Sequence, residues 1–449
     1  MGFRGSLKVL LVCGLITGAG YVQAQEFDLD AAVAFALKNN PDLNAVQQQL
    51  NASSAQTEIS RAGHNATLSV SHTARLSDNP LDAFADKLNT RQVIASDFNP
   101  ELLNQPGSSD LYFTQLALRW PVYTGGRVSA MVEDAEQMEK NRRLQYQYAR
   151  QKMVYSTSSA YLTILATEQA LRIADDAVSA AKQHVKTTSK LASEGRIVES
   201  DKLAAEVNLA AIRSQREQAA TRYRSALDQF KLVIGLPLNT EITLAAATVA
   251  AISDDKDVNE YSQYALVNRK DLAAARALTQ AAKARVDAAR SVRKPSIELV
   301  ASSNWYDDTP GFDSQSSSIM GVLSFDLYDG KNTGKIDLAL AQQREMQWQL
   351  QALEQSVQKQ VRDAYNALLE SRERLTLASD NVKTAQRTVQ LIKQRYGQGR
   401  TILLDLLQAE RLYTDARTEQ LTASLNLDLA RVALPLASGA LSLAKMVTP

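Results

Sequence analysis

The sequence has a single cysteine, Cys13, in 449 residues, and only three histidines. Cys13 lies in a short apolar stretch near the N-terminus, so the rest of the chain offers no thiol for a disulfide or a nucleophile. His64, His72 and His184 are far apart and have no metal-ligand spacing with each other or with carboxylates. We therefore expect no metal site and no cofactor.

The sequence also lacks long hydrophobic runs and an excess of charge of one sign. It has 50 Lys and Arg against 49 Asp and Glu, which gives no basic patch for nucleic acid. No apolar run after residue 24 reaches the roughly 20 residues of a membrane-spanning helix, so a membrane-spanning part would need strands. It contains no phosphate-binding loop and no nucleophile elbow. We expect no catalytic residues and no enzyme activity.

The N-terminus has the pattern of a secretory signal peptide. Arg4 and Lys8 precede a short apolar stretch, and small residues precede a cleavage site after Ala24. Lipidation at Cys13 is disfavoured by the large residue before it. We therefore expect residues 1–24 to be removed.

The main positive feature is an internal duplication, because several groups of residues recur in the same order. The matched groups are Ala36-Leu37 with Ala265-Leu266, Asp42-Leu43 with Asp271-Leu272, Val122-Tyr123 with Leu327-Tyr328, and Gly195-Arg196 with Gly399-Arg400. This pattern indicates two halves of about 200 residues. The predicted organisation is a first repeat at 25–240, a linker at 241–255, a second repeat at 256–440 and a tail at 441–449.

Two segments without glycine or proline predict unusually long helices. They run from Arg127 to Glu194 and from Lys335 to Tyr396, which corresponds to about 90–100 Å of helix each. Their Ala-rich apolar seams favour close packing in a broad layer of helices. Shorter helices are predicted at 28–62, 198–234, 256–292 and 402–432. Pro435 is expected to end the last one.

Four stretches between the helices predict β-strands by composition and partial alternation. They are residues 66–76, 110–123, 296–306 and 317–328, connected in pairs by loops at 77–109 and 307–316. Their length is near that of a tilted strand crossing a bilayer. Aromatic residues at the predicted strand ends are typical of a membrane interface: Trp120, Tyr123, Trp305 and Tyr328. Soluble hairpins with aromatic cores remain an alternative.

Four strands cannot close a barrel, and an open edge in lipid leaves backbone groups unpaired at several kcal/mol each. Strands that span a membrane therefore require an oligomer. Three copies would supply twelve strands, an even number typical of outer-membrane barrels.

The whole chain after residue 24 resembles the TolC-like outer membrane efflux proteins. The resemblance rests on the duplication, the junctions at 120–127 (WPVYTGGR) and 325–330 (FDLYDG), and the turn at 396–405 (YGQGRTILLD). It implies a mainly α fold with a small β part, in which duplicated long helices form an α-barrel across the periplasm. Four strands per chain would complete a 12-stranded transmembrane β-barrel in the outer membrane as a homotrimer. The implied partners are a periplasmic adaptor protein and an inner-membrane transporter.

The resemblance also implies roles for single residues at the inner, periplasmic end. The turns at Gly195-Arg196 and Gly399-Arg400 would dock the adaptor. In the family, a tyrosine and an arginine of the second turn bind an aspartate of the first turn and hold the aperture shut. Tyr396 and Asp201 match two of these latch residues. Thr401 stands where the arginine is expected, and Arg400 lies one residue earlier, so its partner is left open.

A pore constriction is implied by the same turn. Asp405 matches an aspartate that forms an acidic ring in the trimer, and Gln408 replaces a second acidic residue, which predicts a less negative constriction. Simpler interpretations remain open for the tip. The two glycines would end helices at positive φ, and Asp201 and Asp405 would be first-turn acids that stabilise helix N-termini.

The function predicted on this basis is a passive exit duct for small-molecule efflux. A duct for type I protein secretion is the alternative within the same architecture. A periplasmic helical scaffold or adaptor is the alternative from another class.

Overall fold

The computed structural model describes residues 25–245 and 257–441. The predicted signal peptide (1–24), most of the predicted linker (241–255) and all but the first residue of the predicted tail (441–449) lie outside the described residues. Within the described ranges, no helix is both long and apolar enough to cross a membrane.

The chain folds into helices and a few strands that repeat in order. The helices are α1 (Leu29–Asn39), α2 (Pro41–Ala62), α3 (Pro80–Asn89), α4 (Pro100–Asn104), α5 (Arg127–Ser193), α6 (Glu199–Ile234), α7 (Val258–Asn268), α8 (Lys270–Arg290), α9 (Lys331–Gly397) and α10 (Leu403–Ser438). The strands are β1 (Gln25–Phe27), β2 (Thr67–Ser77), β3 (Ser109–Tyr123), β4 (Ile242–Leu244), β5 (Ser296–Asp307) and β6 (Ser314–Ser324). Short 3₁₀ turns lie at Ala95–Phe98 and Ser291–Arg293.

The two long helices are the framework of the molecule. α5 and α9 contain 67 residues each, so each is about 100 Å long. The 36-residue helices α6 and α10 return antiparallel along them. The C-terminal half of α5 packs between α6 and α10, and its N-terminal half packs between α2 and α8. The predicted long helices are confirmed, and α9 begins at Lys331.

The shorter predicted helices at 28–62 and 256–292 are each broken in two. Asn40 separates α1 from α2 in an extended conformation, because Pro41 disfavours helical backbone in the residue before it. Arg269 separates α7 from α8 in the same conformation without a following proline. Its break is held by tertiary contacts, so local sequence gives no signal for it.

The prediction that Pro435 ends the last helix is wrong. α10 continues through Pro435 to Ser438 and ends before Gly439, whose φ is +74°. A proline inside a helix loses one hydrogen bond and crowds the carbonyl four residues earlier, at a cost of about 3 kcal/mol. Val432 and Leu434 are fully buried beside it, so their packing offsets that loss.

The fourth predicted strand, 317–328, is displaced toward the N-terminus. β6 starts at Ser314, opposite Tyr306, and ends at Ser324, opposite Ser296. It cannot extend further because β5 begins directly after Pro295, which leaves no partner. Tyr328 therefore lies outside the strand and is 91% exposed.

The four long strands form one antiparallel sheet in the order β2-β3-β5-β6. Its register gives two unlike faces, since opposed residues point the same way. One face, the apolar face, carries Leu68, Val70, Leu116, Leu118, Trp120, Leu299, Ile319 and Leu323. The opposite face, the polar face, carries Ser69, Ser71, Thr73, Gln115, Ser302, Asn304, Ser316 and Ser318. The register shifts between Pro121 and Tyr123, a bulge that accommodates proline in an interior strand.

A second, smaller sheet was not predicted. β1 pairs in parallel with β4, which brings the two ends of the first repeat together. The Tyr161 hydroxyl lies 3.0 Å from the Phe27 carbonyl oxygen and 2.6 Å from that of Ala245. Burial raises the pKa of Tyr161 to about 12. The main hydrophobic cluster, which includes Phe230, packs around it.

The same buried contact occurs once in each repeat, near the middle of the long helices. The Asn40 amide donates to the Val233 carbonyl at 2.7 Å, and the Arg269 guanidinium donates to the Ala437 carbonyl at 3.0 Å. Each acceptor lies two residues before a glycine that ends its helix. We call these two contacts, with Gly235 and Gly439, the waist.

Candidate functional site at the helical tip

The end of the molecule farthest from the large sheet is formed by two turns, 194–198 and 398–402, which we call the tip. In each turn a glycine has positive φ, +69° at Gly195 and +71° at Gly399. The glycine and the following arginine donate backbone hydrogen bonds to the last helical turn in the same pattern, which is the Schellman motif. Both glycines thus end helices, and a Cβ added at either would meet nothing within 4 Å.

The two turns share a backbone but differ in charge. Arg196 lies 3.6 Å from the Glu194 carboxylate, so its charge is partly neutralised within its own turn. Arg400 is exposed and has no ion-pair partner among the described residues of the chain. The structure thus does not bring Arg400 to Asp201 or Tyr396 within one protomer, and its charge points to solvent.

Tyr396 and Asp201 lie close enough to interact electrostatically across the tip. The Tyr396 hydroxyl oxygen is buried and has no hydrogen-bond partner in the described part of the protein. Burial raises the pKa of Tyr396, and the negative charge of Asp201 raises it further. The two residues therefore approach one another without the direct hydrogen bond that the resemblance implies.

Asp405 and Gln408 form an exposed polar strip on the first turns of α10. Residues three apart lie on the same face of a helix. The Asp405 carboxylate accepts a hydrogen bond from the Thr401 hydroxyl at 2.5 Å, which fixes the carboxylate at the start of the helix. Thr401, in the position expected for a latch arginine, thus orients Asp405.

Sequence analysis did not predict that a histidine near the tip is buried. His184 of α5 is 7% exposed, and its Nε2 lies 3.4 Å from a Glu410 carboxylate oxygen of α10. The two residues line a cavity of about 210 Å³ between α5, α6 and α10. Neither local composition nor spacing distinguishes His184 from a surface histidine, because the contact depends on how the two repeats pack.

Two consecutive acids of α5 bind helices on opposite sides. Asp175 pairs with Arg216 of α6 at 2.9 Å, and Asp176 pairs with Arg417 of α10 at 2.9 Å. The first pair lies within one helical hairpin and the second joins the two repeats. Over residues 25–245 and 257–441, no cluster of three or more His, Cys, Asp or Glu side chains is placed to hold a metal.

The candidate interface aromatics fall at two levels of the large sheet. Trp120 pairs with Leu299, and Trp305 pairs with Thr114, on the same apolar face. The six-residue offset along β3 places the two indoles about 20 Å apart along the strands. Tyr123 lies beyond the bulge near the Trp120 level, whereas Tyr328 lies outside the sheet.

The sequence profile of the outer membrane efflux proteins matches residues 33–236 and 261–440. The chain belongs to the outer membrane efflux protein family. As a member of this family it is a channel protein and not an enzyme, located in the outer membrane with its helical part in the periplasm.

Solved structures with the same fold agree with this assignment. A membrane protein from Pseudomonas aeruginosa is 21% identical, with a TM-score of 0.78 and 92% of each chain covered. The CmeC outer membrane channel of Campylobacter jejuni is 17% identical, with a TM-score of 0.81, covering 92% of this chain and 85% of CmeC. VceC from Vibrio cholerae is 16% identical, with a TM-score of 0.75, covering 92% of this chain and 96% of VceC. At these identities the likeness shows the fold alone. No curated protein sequence matches this efflux protein significantly.

Proposed function

We propose that this efflux protein is the exit duct of a tripartite export system. Three copies would form a 12-stranded β-barrel in the outer membrane, and the long helices would continue it as an α-barrel through the periplasm. The observation that carries this proposal is the large sheet, which has an exposed apolar face, an opposite polar face and two unpaired edges.

The apolar face suits lipid. Leu68, Val70, Ile319 and Leu323 are mostly exposed in the single chain, although large apolar side chains are normally covered. The polar face opposite is rich in serine, as expected of a water-filled lumen. The Trp120 and Trp305 levels are about 20 Å apart along the strands. At a strand tilt of about 40° this is about 15 Å along the membrane normal, which lies within the usual 25 Å apolar height of outer-membrane barrels.

The edges of the sheet require further strands. Within residues 25–245 and 257–441, β2 and β6 each pair on one side only, and lipid offers no partner for their free backbone groups. Pairing β6 of one copy with β2 of the next closes a ring, and three copies give twelve strands. The helical hairpins then surround one threefold axis.

The tip residues take their proposed roles in that ring. Asp405 and Gln408 would line the pore constriction, and Asp201 and Tyr396 would hold the aperture closed. Arg400, which has no ion-pair partner in the described part of the chain, would bind a neighbouring copy or the adaptor. The open turns at Gly195-Arg196 and Gly399-Arg400 would dock a periplasmic adaptor protein, which connects the duct to an inner-membrane transporter.

We propose small-molecule efflux as the transport process, with type I protein secretion as the second candidate. Three His and seven Met in the sequence form no tract suited to metal cargo. Loss of the gene should increase accumulation of small toxic compounds and leave secreted proteins unchanged; the reverse result would favour protein secretion. Membership of the outer membrane efflux protein family argues against the alternative of a periplasmic helical scaffold or adaptor.

Cell fractionation followed by unheated gel electrophoresis tests the duct. A trimer-sized band in the outer membrane is expected, and a monomer in the periplasm would contradict the proposal. Val70→Arg on the apolar face should reduce the trimer strongly, because arginine facing lipid near mid-membrane costs about 2–4 kcal/mol. Ser71→Arg, the next residue on the polar face, is the matched control and should leave the trimer intact.

A further inference from the structure

The loop between β2 and β3 is a folded unit. It contains α3, a 3₁₀ turn and α4, and two rings, Phe84 and Phe98, pack edge to face with centroids 5.7 Å apart. Lys87 binds the Asp97 carboxylate at 2.5 Å. These contacts give the loop a small core and hold α3 in a defined position.

The unit lies on the polar face of the sheet. Asp86 of α3 binds Arg75 of β2 and accepts a hydrogen bond from the Ser109 hydroxyl of β3 at 3.0 Å. The strand register places Arg75, Ser109 and Leu111 on the polar face. Leu111 is 4% exposed, whereas Ser69 and Ser71 on the same face are exposed. α3 therefore folds inward over the strand ends, toward the lumen of the proposed barrel.

The loop is also tied to the other hairpin of the same chain. The Arg91 guanidinium donates to the Gln315 carbonyl at 2.9 Å, and the Ser314 hydroxyl donates to the Thr90 carbonyl at 2.9 Å. Arg91 has φ of +61°, which is uncommon for a residue with a side chain. These contacts anchor the end of α3 to the tip of the β5–β6 hairpin.

One face of α3 is exposed in the described part of the chain. Leu81 and Leu88 are 77% and 53% exposed. Seven residues apart, they lie on the same side of the helix. Asp82 and Asp86 point to the strands, so the two leucines face away from the wall.

We propose that α3 of three copies meets at the threefold axis and closes the outer mouth of the duct. The proposal rests on the proposed trimer. Twelve strands about 4.8 Å apart, tilted about 40°, give a barrel radius of about 12 Å. A helix with its side chains is about 10–12 Å across, so an α3 resting on the wall reaches the axis. In the proposed trimer, the Leu81–Leu88 face of each α3 therefore packs against the same face of the other two copies.

Cross-linking of single cysteines in cells tests this closure. Leu88→Cys should join neighbouring chains into a covalent dimer with a short bis-maleimide. Leu102→Cys is the matched control, because Leu102 is a leucine of the same loop with the same 53% exposure and lies on α4, off this face. We expect at least a tenfold higher dimer yield from Leu88→Cys. The unaltered chain, whose single cysteine is Cys13, measures the background of cross-linking.

Unheated gels of the same samples separate the two proposals. A trimer in which Leu88→Cys cross-links no better than Leu102→Cys overturns the closed mouth and leaves the duct standing. Absence of any trimer from the unaltered chain overturns both. If Leu88→Cys itself does not assemble, Leu81→Cys on the same face replaces it, and an equal yield with the control again contradicts the closure.

Discussion

Four helix ends in this protein use the same device, a glycine at positive φ, in two different surroundings. At the waist, a Cβ on Gly235 would lie 2.8 Å from the Asn39 carbonyl oxygen, and one on Gly439 would lie 3.1 Å from Arg269 backbone atoms. At the tip, a Cβ on Gly195 or Gly399 would meet nothing within 4 Å. Identical backbone turns therefore serve close packing in one region and exposure in the other.

The difference predicts that the waist contributes to stability, and it supports the proposed contact of the tip with other molecules. At the waist, Asn40 and Arg269 are buried and hydrogen-bonded to the opposite end of their own repeat. The tip turns are mostly exposed, and the Arg400 guanidinium has no ion-pair partner among the described residues. The nearby Tyr396 hydroxyl is buried and has no hydrogen-bond partner there. Substitutions of the same type in the two regions should therefore separate folding from channel function.

The largest effect is expected from Arg269→Met at the waist. Arg269 is 3% exposed, binds both carboxylate oxygens of Asp271, and donates to Gln360 and Ala437. Removing one partner of a buried ion pair costs about 3–5 kcal/mol. Urea denaturation of the detergent-extracted protein should show this loss. Arg400→Met at the tip is the control, and an equal loss there would break the distinction.

Gly235→Ala should have the next largest effect. Left-handed backbone costs a residue with a Cβ about 1–2 kcal/mol, and the clash with the Asn39 carbonyl adds an overpacking cost of about 1–3 kcal/mol. Gly195→Ala should show only the first cost. Equal destabilisation of both variants in the same assay would mean that the waist packing contributes nothing.

Asp201→Ala and Tyr396→Phe should change the channel while leaving the fold intact. The Tyr396 hydroxyl has no hydrogen bond to lose, so we expect little change in unfolding. In the proposed trimer both substitutions loosen the closed tip, and single-channel conductance in planar bilayers should rise. Unchanged conductance in both variants would reject the latch.

Asp405→Asn is expected to have the smallest effect on structure. It keeps a side chain that can accept the Thr401 hydrogen bond, and it removes three converging charges in the proposed trimer. Reversal potentials in a salt gradient should then show weaker cation preference. Asp380→Asn, an exposed acid on α9 away from the tip, is the control and should leave selectivity unchanged.

Sequence reasoning found features that depend on local chemistry. Gly- and Pro-free segments predicted both long helices, and Gly195 and Gly399 predicted the two tip turns. It missed features that depend on tertiary partners. The break at Arg269 and the burial of His184 arise from packing between the repeats, and β6 is displaced because pairing with β5 decides where it ends. The roles of Asp201, Tyr396, Arg400 and Asp405 stay predictions, because which of these side chains meet depends on helix packing.

The neighbouring acids Asp175 and Asp176 have a consequence for the geometry of the whole periplasmic part. Consecutive helical residues project about 100° apart, so Asp175 pairs with α6 and Asp176 pairs with α10, on a different side of α5. Turning α5 about its own axis would shorten one ion pair and lengthen the other. The two partly exposed ion pairs therefore favour one rotation of this 67-residue helix about its axis, each by a small amount because solvent screens it, in addition to the packing of its buried face.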